Sequence, residues 1–402
     1  MIENPFTSKT FSSIWAKHFS PSLESKKFGF LTNLVFAKHK YLPLYLNFGK
    51  THTKGISYSI ENDNVDEIKG KILLIYDVPL FFNIPDLSNS RIKRYRTKQY
   101  PGFLINLEPY SDLNAYMAGT FKKSSRYKLN KYKRKLESCF DIRYKMFRGE
   151  MDRDEYVFIF NRFNQLLTKR FDDKQITNNN LDKAEWDFYF EVAYPMLIEG
   201  KAGLFVIYNE DQPIGVTLCY FSDEIVFDAI TVFDIDYAKF HLGSATIMKL
   251  VEWSIEHDYK IFDFSKGYFD YKKRWASKEY NFEYHVLYDA QSIMAKTLAF
   301  GIKSFFDFKQ FLRDKHVNDK LHELTYKLKN KSNNIEPDRV YNKEELTELN
   351  YKSAGNQQIK NICFEFLYLN NESQKDLKIF KINDKDNQFL IFGKEITVLA
   401  KA

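Results

Sequence analysis

Residues 201–234 read KAGLFVIYNEDQPIGVTLCYFSDEIVFDAITVFD, three apolar runs separated by the polar clusters NEDQ and SDE. Runs rich in β-branched and aromatic residues, punctuated by Asn, Asp and Ser, predict three consecutive strands joined by two tight turns. The loop IDYAKFHLG then leads into SATIMKLVEWSIEHDY. There Ile247, Leu250, Val251 and Ile255 form an apolar stripe at helical spacing, while Lys249, Glu252 and Glu256 face away. KIFDFSKG reads as a short strand and turn, FDYKKRWASK as a short helix and YNFEYHVLYDA as a further strand.

The flanks are less regular. LTNLVFAKHKYLPLYLNFGK, GISYSIE and KGKILLIYDVPLFF read as strands, and SNSRIKRYRTKQYPG (88–102) has loop composition. GFLINLEPYSDLNAYM predicts a strand ending at Leu107 and a helix with Ser111 as N-cap. In FKKSSRYKLNKYKRKLE, Leu129, Tyr132 and Leu136 make a packing stripe on a helix. Eight of the residues from Lys122 to Lys135 are Lys or Arg, with no acid among them. DIRYKMF alternates like a strand, and helices are expected over 153–170 and 182–199, the second capped by Gly200. Residues 292–331 read as a basic helical segment with Leu321, Leu324 and Leu328 in one stripe. A polar linker follows, and IKNICFEFLYL, KDLKIFKI and QFLIFGKEITVLA read as strands.

The chain has 402 residues, 60 Lys and Arg against 53 Asp and Glu for a net charge of +7, and 44% hydrophobic residues, a globular composition. No run of about 18 apolar residues exists, which argues against a transmembrane helix. MIENPFTSKTF lacks a secretion-signal pattern. Cys139, Cys219 and Cys363 lie far apart among apolar neighbours, so buried thiols in a reducing cytoplasm are expected. Neither they nor the histidines have metal-ligand spacing, and no metal is expected. The 17% aromatic content fits a compositional bias without any ligand.

Candidate chemistry concentrates in 201–275. In FHLGSAT, Gly243 stands at a helix start where backbone N–H groups lack intrahelical partners and the helix dipole adds positive charge. Leu242, Ser244 and Ala245 complete this turn, and Lys239 and His241 flank it. A phosphate site and a plain helix start are both open readings. Asp228 sits mid-strand in EIVFDAITVF, where an unpaired carboxylate is costly unless it has a partner or a task.

Strand, strand, long strand, xxGxA loop, helix, Asp-bearing short strand and GYFDYKKRW together resemble the GNAT acyltransferase superfamily. The similarity is to its GNAT-like, cellulose-biosynthesis-type branch, on Gly243, Asp263, Gly267 and the pair Tyr271-Lys272. The basic helix after GFLINLEPYSDLNAYMAGTF is similar to the crossover of Fem-type aminoacyltransferases, which use two GNAT-like halves. The resemblance implies an α+β fold of tandem GNAT-like mixed-sheet domains with a small β-rich C-terminal extension. Its expected boundaries are 1–140 for the first half and basic crossover helix, 141–290 for the catalytic domain, 291–331 for a helical segment and 332–402 for linker and tail. It also implies acyl-CoA as co-substrate and direct transfer to an amine, with a carboxylate base and a phenol acid. Asp228, Asp263 and Tyr271 are the candidates for those roles. Lys266, Gly267, Lys272 and Trp275 are the implied substrate-side residues. The family's loop is Q/R-x-x-G-x-G/A; here Phe240 replaces the leading polar residue.

Three functions follow. One is an acyl-CoA-dependent N-acyltransferase acting on an amino sugar, amino acid or other small amine, in the family's setting of envelope or polysaccharide synthesis. Another is a Fem-type enzyme using aminoacyl-tRNA, favoured by the basic helix. The third is an inactive scaffold, favoured by Phe240. The basic helix is either a solvated face or a contact for an acidic acceptor, CoA phosphates, tRNA or an anionic membrane surface; a net +7 over the whole chain argues against dedicated nucleic-acid binding.

Overall fold

The computed structural model describes residues 4–61, 63–85, 90–174, 179–314, 346–349, 357–382, 388–394 and 396–401. Its strands are β1 (Ser25–Lys26), β2 (Phe36–Lys38), β3 (Leu44–Asn47), β4 (Ile72–Pro79), β5 (Ile92–Asn106), β6 (Ile142–Phe147), β7 (Ala202–Asn209), β8 (Gln212–Phe221), β9 (Ile225–Phe233), β10 (Ile261–Lys266) and β11 (Lys278–Asp289). They form one 11-stranded mixed sheet in the order β1-β2-β3-β4-β11-β5-β10-β9-β8-β7-β6. The helices are α1 (Lys9–Phe19), α2 (Leu113–Thr120), α3 (Lys123–Cys139), α4 (Arg153–Lys174), α5 (Lys183–Ile198), α6 (Leu242–Glu256), α7 (Asp270–Trp275), α8 (Ile293–Asp314) and α9 (Gln357–Asn370). The fold is α+β.

The meander forms where the apolar runs placed it. β7 pairs antiparallel with β8 through a two-residue turn, with Glu210 at φ 55°, and β8 pairs antiparallel with β9. Every residue of β7 is buried. Helices cover both faces, which is why these strands read as continuous apolar runs and not as alternating ones. One core joins the sheet to α2, α3, α6 and α9, and another joins it to α1, α4 and α5. After α5, Gly200 takes φ 71° as expected, with Gly200 N–H on Leu197 C=O and Lys201 N–H on Met196 C=O closing the helix.

The structure corrects four local readings. The basic stretch read as a loop is the body of β5, the longest strand, held between β11 and β10. Its buried Thr97 and Gln99 alternate with exposed Arg96, Lys98 and Tyr100, a period of two that the charge obscured. GISYSIE supplies an isolated bridge between Leu31 and Ile60 instead of a strand. The N-cap of α2 is Asp112, whose Oδ1 accepts the Ala115 N–H at 2.8 Å; Ser111 lies one residue too early.

The fourth correction is IKNICFEFLYL, which is helical within α9 and not a strand. Ile359, Cys363, Phe366 and Leu367 are buried at helical spacing, so packing overrode the aromatic strand preference. A separate antiparallel sheet completes the C-terminal region: β12 (Leu346–Leu349), β13 (Lys378–Ile382), β14 (Gln388–Phe392) and β15 (Thr397–Lys401). Its first strand falls in the stretch read as linker. The leucine stripe at 321, 324 and 328 lies outside the described residues. All three cysteines are buried free thiols.

Candidate active site

β9 and β10 run parallel through only three register pairs, ending at Phe227 opposite Asp263. Beyond that point β9 continues to Phe233 alongside β8, while β10 turns toward β5, where Lys266 pairs with Gly102. A one-residue register shift on β9 between Ile230 and Asp228 marks a bulge, which increases local twist. The two strands therefore splay, and Asp228 stands at the start of the opening.

Asp228 is 8% exposed. Its Oδ1 accepts the Thr231 hydroxyl at 2.7 Å, and its other oxygen carries no hydrogen bond among the described residues. Burial raises its pKa above the usual carboxylate value, against the lowering pull of Thr231, Lys272 and Lys54. Asp263 is more completely held. Tyr280 Oη lies 2.8 Å from both carboxylate oxygens, and the Ser265 N–H donates to Oδ1 at 2.8 Å. Burial pushes the Asp263 pKa up to about 7 despite these donors. Tyr280 reaches Asp263 across Gly102, where a Cβ would stand 2.3 Å from the ring. That close approach is the reason for glycine at this strand position.

Lys272 is buried and donates to the carbonyls of Phe264 at 2.7 Å, Lys266 at 3.0 Å and Ser265 at 3.4 Å. Its three protons are thus committed to the turn after β10, in which Ser265 (φ 59°) and Gly267 (φ 128°) take left-handed conformations. Burial lowers its pKa to about 8. Lys266 pairs with buried Asp77, itself at φ 61°. Thr53 donates to the other Asp77 oxygen at 3.2 Å. Trp275 is buried on Phe121, and its carbonyl accepts the Tyr116 hydroxyl at 2.5 Å.

At the opposite end of the opening, the N–H groups of Leu242 and Gly243 make no hydrogen bond among the described residues, and His241 (φ 54°) gives α6 no side-chain cap. The space that a Cβ on Gly243 would take is filled by Phe233, 2.7 Å away. Over the Phe233 ring, at 4.9 Å, lies the Arg170 guanidinium from α4. Arg170 also bears electrostatically on half-buried Tyr271, whose hydroxyl has no hydrogen-bond partner among the described residues. Burial first, then the Asp228 charge, raises the Tyr271 pKa. Ser244 is half-buried and Ala245 buried.

Asp228, Asp263, Tyr271, Lys266, Gly267 and Lys272 are therefore gathered at one junction, with the α6 turn at its far side. Arg170, Tyr280, Gly102, Asp77 and Lys54 were not legible as part of it. Among the described residues no group of His, Cys, Asp and Glu side chains could hold a metal ion. Surface clefts of about 390 Å³ near Arg143 and Glu155 and about 360 Å³ near Lys17 and Glu191 share no residue with the junction.

Residues 123–273 match the model of the acetyltransferase (GNAT) domain family. They form a GNAT-type domain. No curated protein matches the chain. Among solved structures, a conserved protein of unknown function from Bacteroides thetaiotaomicron is 10% identical with a TM-score of 0.46, over 71% of this chain and 92% of that one. FemX is 12% identical with a TM-score of 0.45, over 63% and 83%. The C-terminal domain of a putative lysylphosphatidylglycerol synthetase from Agrobacterium fabrum is 9% identical with a TM-score of 0.42, over 72% and 91%. Likenesses this distant assign no substrate.

The GNAT domain here has two local peculiarities. Phe240, at the position of the expected polar residue, is fully buried against Phe140 (4.8 Å) and against Tyr368 of α9 (5.3 Å). It anchors the C-terminal helix, and Lys239 pairs with Glu365 of that helix at 2.8 Å. The basic helix α3 lies beside the α6 turn, its Tyr132 ring stacked on exposed His241 at 3.7 Å. No helix among the described residues is long and apolar enough to cross a membrane.

Proposed function

We propose that this protein is an acyl-CoA-dependent N-acyltransferase that acts by direct attack of a primary amine on a small metabolite, amino sugar or amino acid. The observation that carries the reading is the splay itself: among the described residues, a carboxylate with an unbonded oxygen, Asp228, and a phenol with an unbonded hydroxyl, Tyr271, opposite two unpaired helix-start amides. On this reading the Leu242 and Gly243 amides hold the CoA pyrophosphate. Small Ser244 and Ala245 leave room for it, and His241 and Lys239 flank it. Arg170 supplies the positive charge that Phe240 lacks. The amine gives its proton to Asp228 and its nitrogen attacks the thioester carbonyl; the C–N bond forms, the C–S bond breaks and the thiolate takes a proton from Tyr271. Asp263 fixes the junction floor through Tyr280, and Lys272 and Gly267 hold the turn that lines the acceptor side with Lys266; Trp275 is buried in the core against Phe121 and supports that turn from behind.

The test is thiol release from acetyl-CoA and longer acyl-CoAs across a panel of amines, with calorimetry for CoA binding. Absence of CoA binding sinks the reading.

One observation favours a second reading. Lys123, Lys128, Lys131 and Arg134 of α3 are exposed next to the α6 turn, a surface suited to an extended polyanion such as aminoacyl-tRNA. Steeply salt-dependent tRNA binding without any response to CoA distinguishes it. The buried packing of Phe240 gives that residue a structural reason, so it no longer argues for an inactive scaffold.

A further inference from the structure

The loop 49–55 enters the junction from the N-terminal part of the chain and is fixed at several points. Trp15 donates to His52 at 3.0 Å, and His52 Nε2 lies 2.6 Å from Glu185. Thr53 holds Asp77, and the Gly55 carbonyl accepts the Asn4 amide at 2.8 Å. Gly55 (φ 156°) leaves no room for a side chain, since a Cβ would stand 2.8 Å from Pro79. Between Thr53 and Gly55 stands Lys54, half-buried, with no hydrogen bond or ion pair among the described residues.

Two of the carboxylates near Lys54, Asp77 and Asp263, are already engaged. Asp77 is shared by Lys266 and Thr53. Asp263 is bonded to Tyr280 and Ser265, whereas Asp228 gives one oxygen to Thr231 and makes no ion pair with Lys54 among the described residues. Burial, with Lys266 and Lys272 nearby, lowers the Lys54 pKa to about 8, and Asp77 and Asp228 oppose that shift. Its loop is tied to the β10 end of the junction through Thr53 and Asp77, which Lys266 also holds. A cation held in a rigid loop with no ion-pair partner among the described residues costs stability that the Asp77 and Asp228 charges offset in part and a bound anion would offset further.

We propose that Lys54 receives an anionic group of the acceptor, so that the amine acylated here is carried by a molecule with a carboxylate or a phosphate. The proposal rests on the N-acyltransferase reading and adds to it the substrate class. The ammonium is a point charge with three donors, suited to either anion. Held by Lys54, the anion fixes the molecule while its amine addresses Asp228.

The experiment compares acetyl transfer to matched acceptors by wild-type protein, Lys54→Met and Lys54→Arg. The pairs are amino acids against their amides, and amino-sugar phosphates against the free amino sugars. The expected result is a KM for anionic acceptors raised about tenfold or more in Lys54→Met, with little change in kcat or in rates on neutral acceptors, and partial rescue by Lys54→Arg. Which pair shows the effect identifies carboxylate or phosphate. The melting temperature of Lys54→Met should equal or exceed that of wild type, because an unpartnered cation has been removed. Equal losses on anionic and neutral acceptors, or a lower melting temperature without an acceptor-class effect, overturn the proposal. If no amine is acylated and CoA does not bind, the enzymatic reading fails separately. In that event titration with inorganic phosphate decides: binding weakened in Lys54→Met keeps the anion site, and unchanged binding removes it.

Discussion

The two ends of the β9–β10 opening are built in opposite ways. At the α6 end the polar groups are chiefly backbone amides, with Arg170 laid over an aromatic ring. At the β10 end Lys54, Asp77, Asp263, Lys266 and Lys272 crowd together, nearly every one committed to a partner. Apart from Arg170, the first end consists of neighbours in sequence, from Phe233 to Ala245, and needs little more than a helix start. The second joins residues more than two hundred positions apart, from Lys54 to Lys272, and needs the whole sheet. A dipole-and-amide site tolerates sequence drift because the backbone supplies its chemistry, whereas a charge cluster depends on every member being neutralised.

The largest effect should come at the meeting point of the two ends. Asp228→Asn is expected to lower kcat/KM by about a hundredfold to ten-thousandfold, the range for loss of a general base, with CoA affinity intact by calorimetry. Retained turnover would remove Asp228 from the chemistry and leave it a structural carboxylate.

Gly102→Ala attacks the charged end alone. The added methyl must push the Tyr280 ring off Asp263, leaving a buried carboxylate short of its donor. We expect a loss of about 2–4 kcal/mol in denaturant unfolding. A neutral result would mean that Asp263 does not depend on Tyr280.

Phe240→Gln sharpens the comparison from the other side. It restores the side chain typical of the family's loop but empties a packed aromatic site, so about 2–3 kcal/mol of stability should be lost without tighter CoA binding. Tighter CoA binding at unchanged stability would show that the side chain, and not the backbone, governs that end.

The smallest effect concerns pH. Asp263 has a folded pKa of about 7 against an ordinary value of 3.8, so between roughly pH 4 and 7 the folded protein keeps a proton that the unfolded chain has released. Its contribution is complete below that window and fades as pH rises through it. Asp263→Asn removes this titration. Wild-type stability should therefore fall relative to the variant by on the order of 1–2 kcal/mol from pH 5 to pH 8, read by urea unfolding. Parallel curves would place the Asp263 titration elsewhere.

These contrasts also divide what was legible. The meander, α6, β10, α7 and β11 stood out because burial on both faces or an amphipathic stripe writes itself into consecutive residues. Gly243 was visible, but its reason was only half seen: the structure puts the Phe233 ring where its side chain would be. β5 was missed because its outward basic residues hid an alternation that matters only once β10 and β11 flank it. α9 was read as strands because Phe, Tyr and Ile favour them locally, while its helical form is decided by packing on Phe140, Tyr237 and Phe240. Lys54, Asp77, Gly102 and Arg170 carried no signal at all. Each is an ordinary residue in an ordinary segment until another part of the chain arrives beside it.

By itself the sequence determined the order of strands, loop and helix over 201–289, because local patterning governs which face of each element must be buried; the α+β class came with the resemblance of that order to the GNAT superfamily. It also named Asp228, Asp263 and Tyr271 as candidates. Only the tertiary structure decided that Lys272 is consumed in holding a turn and, among the described residues, which of the two carboxylates keeps an unbonded oxygen and that Lys54 has no partner. Those are properties of hydrogen-bond satisfaction and charge neutralisation, which depend on who the neighbours are in space and are not encoded in any stretch of sequence taken alone.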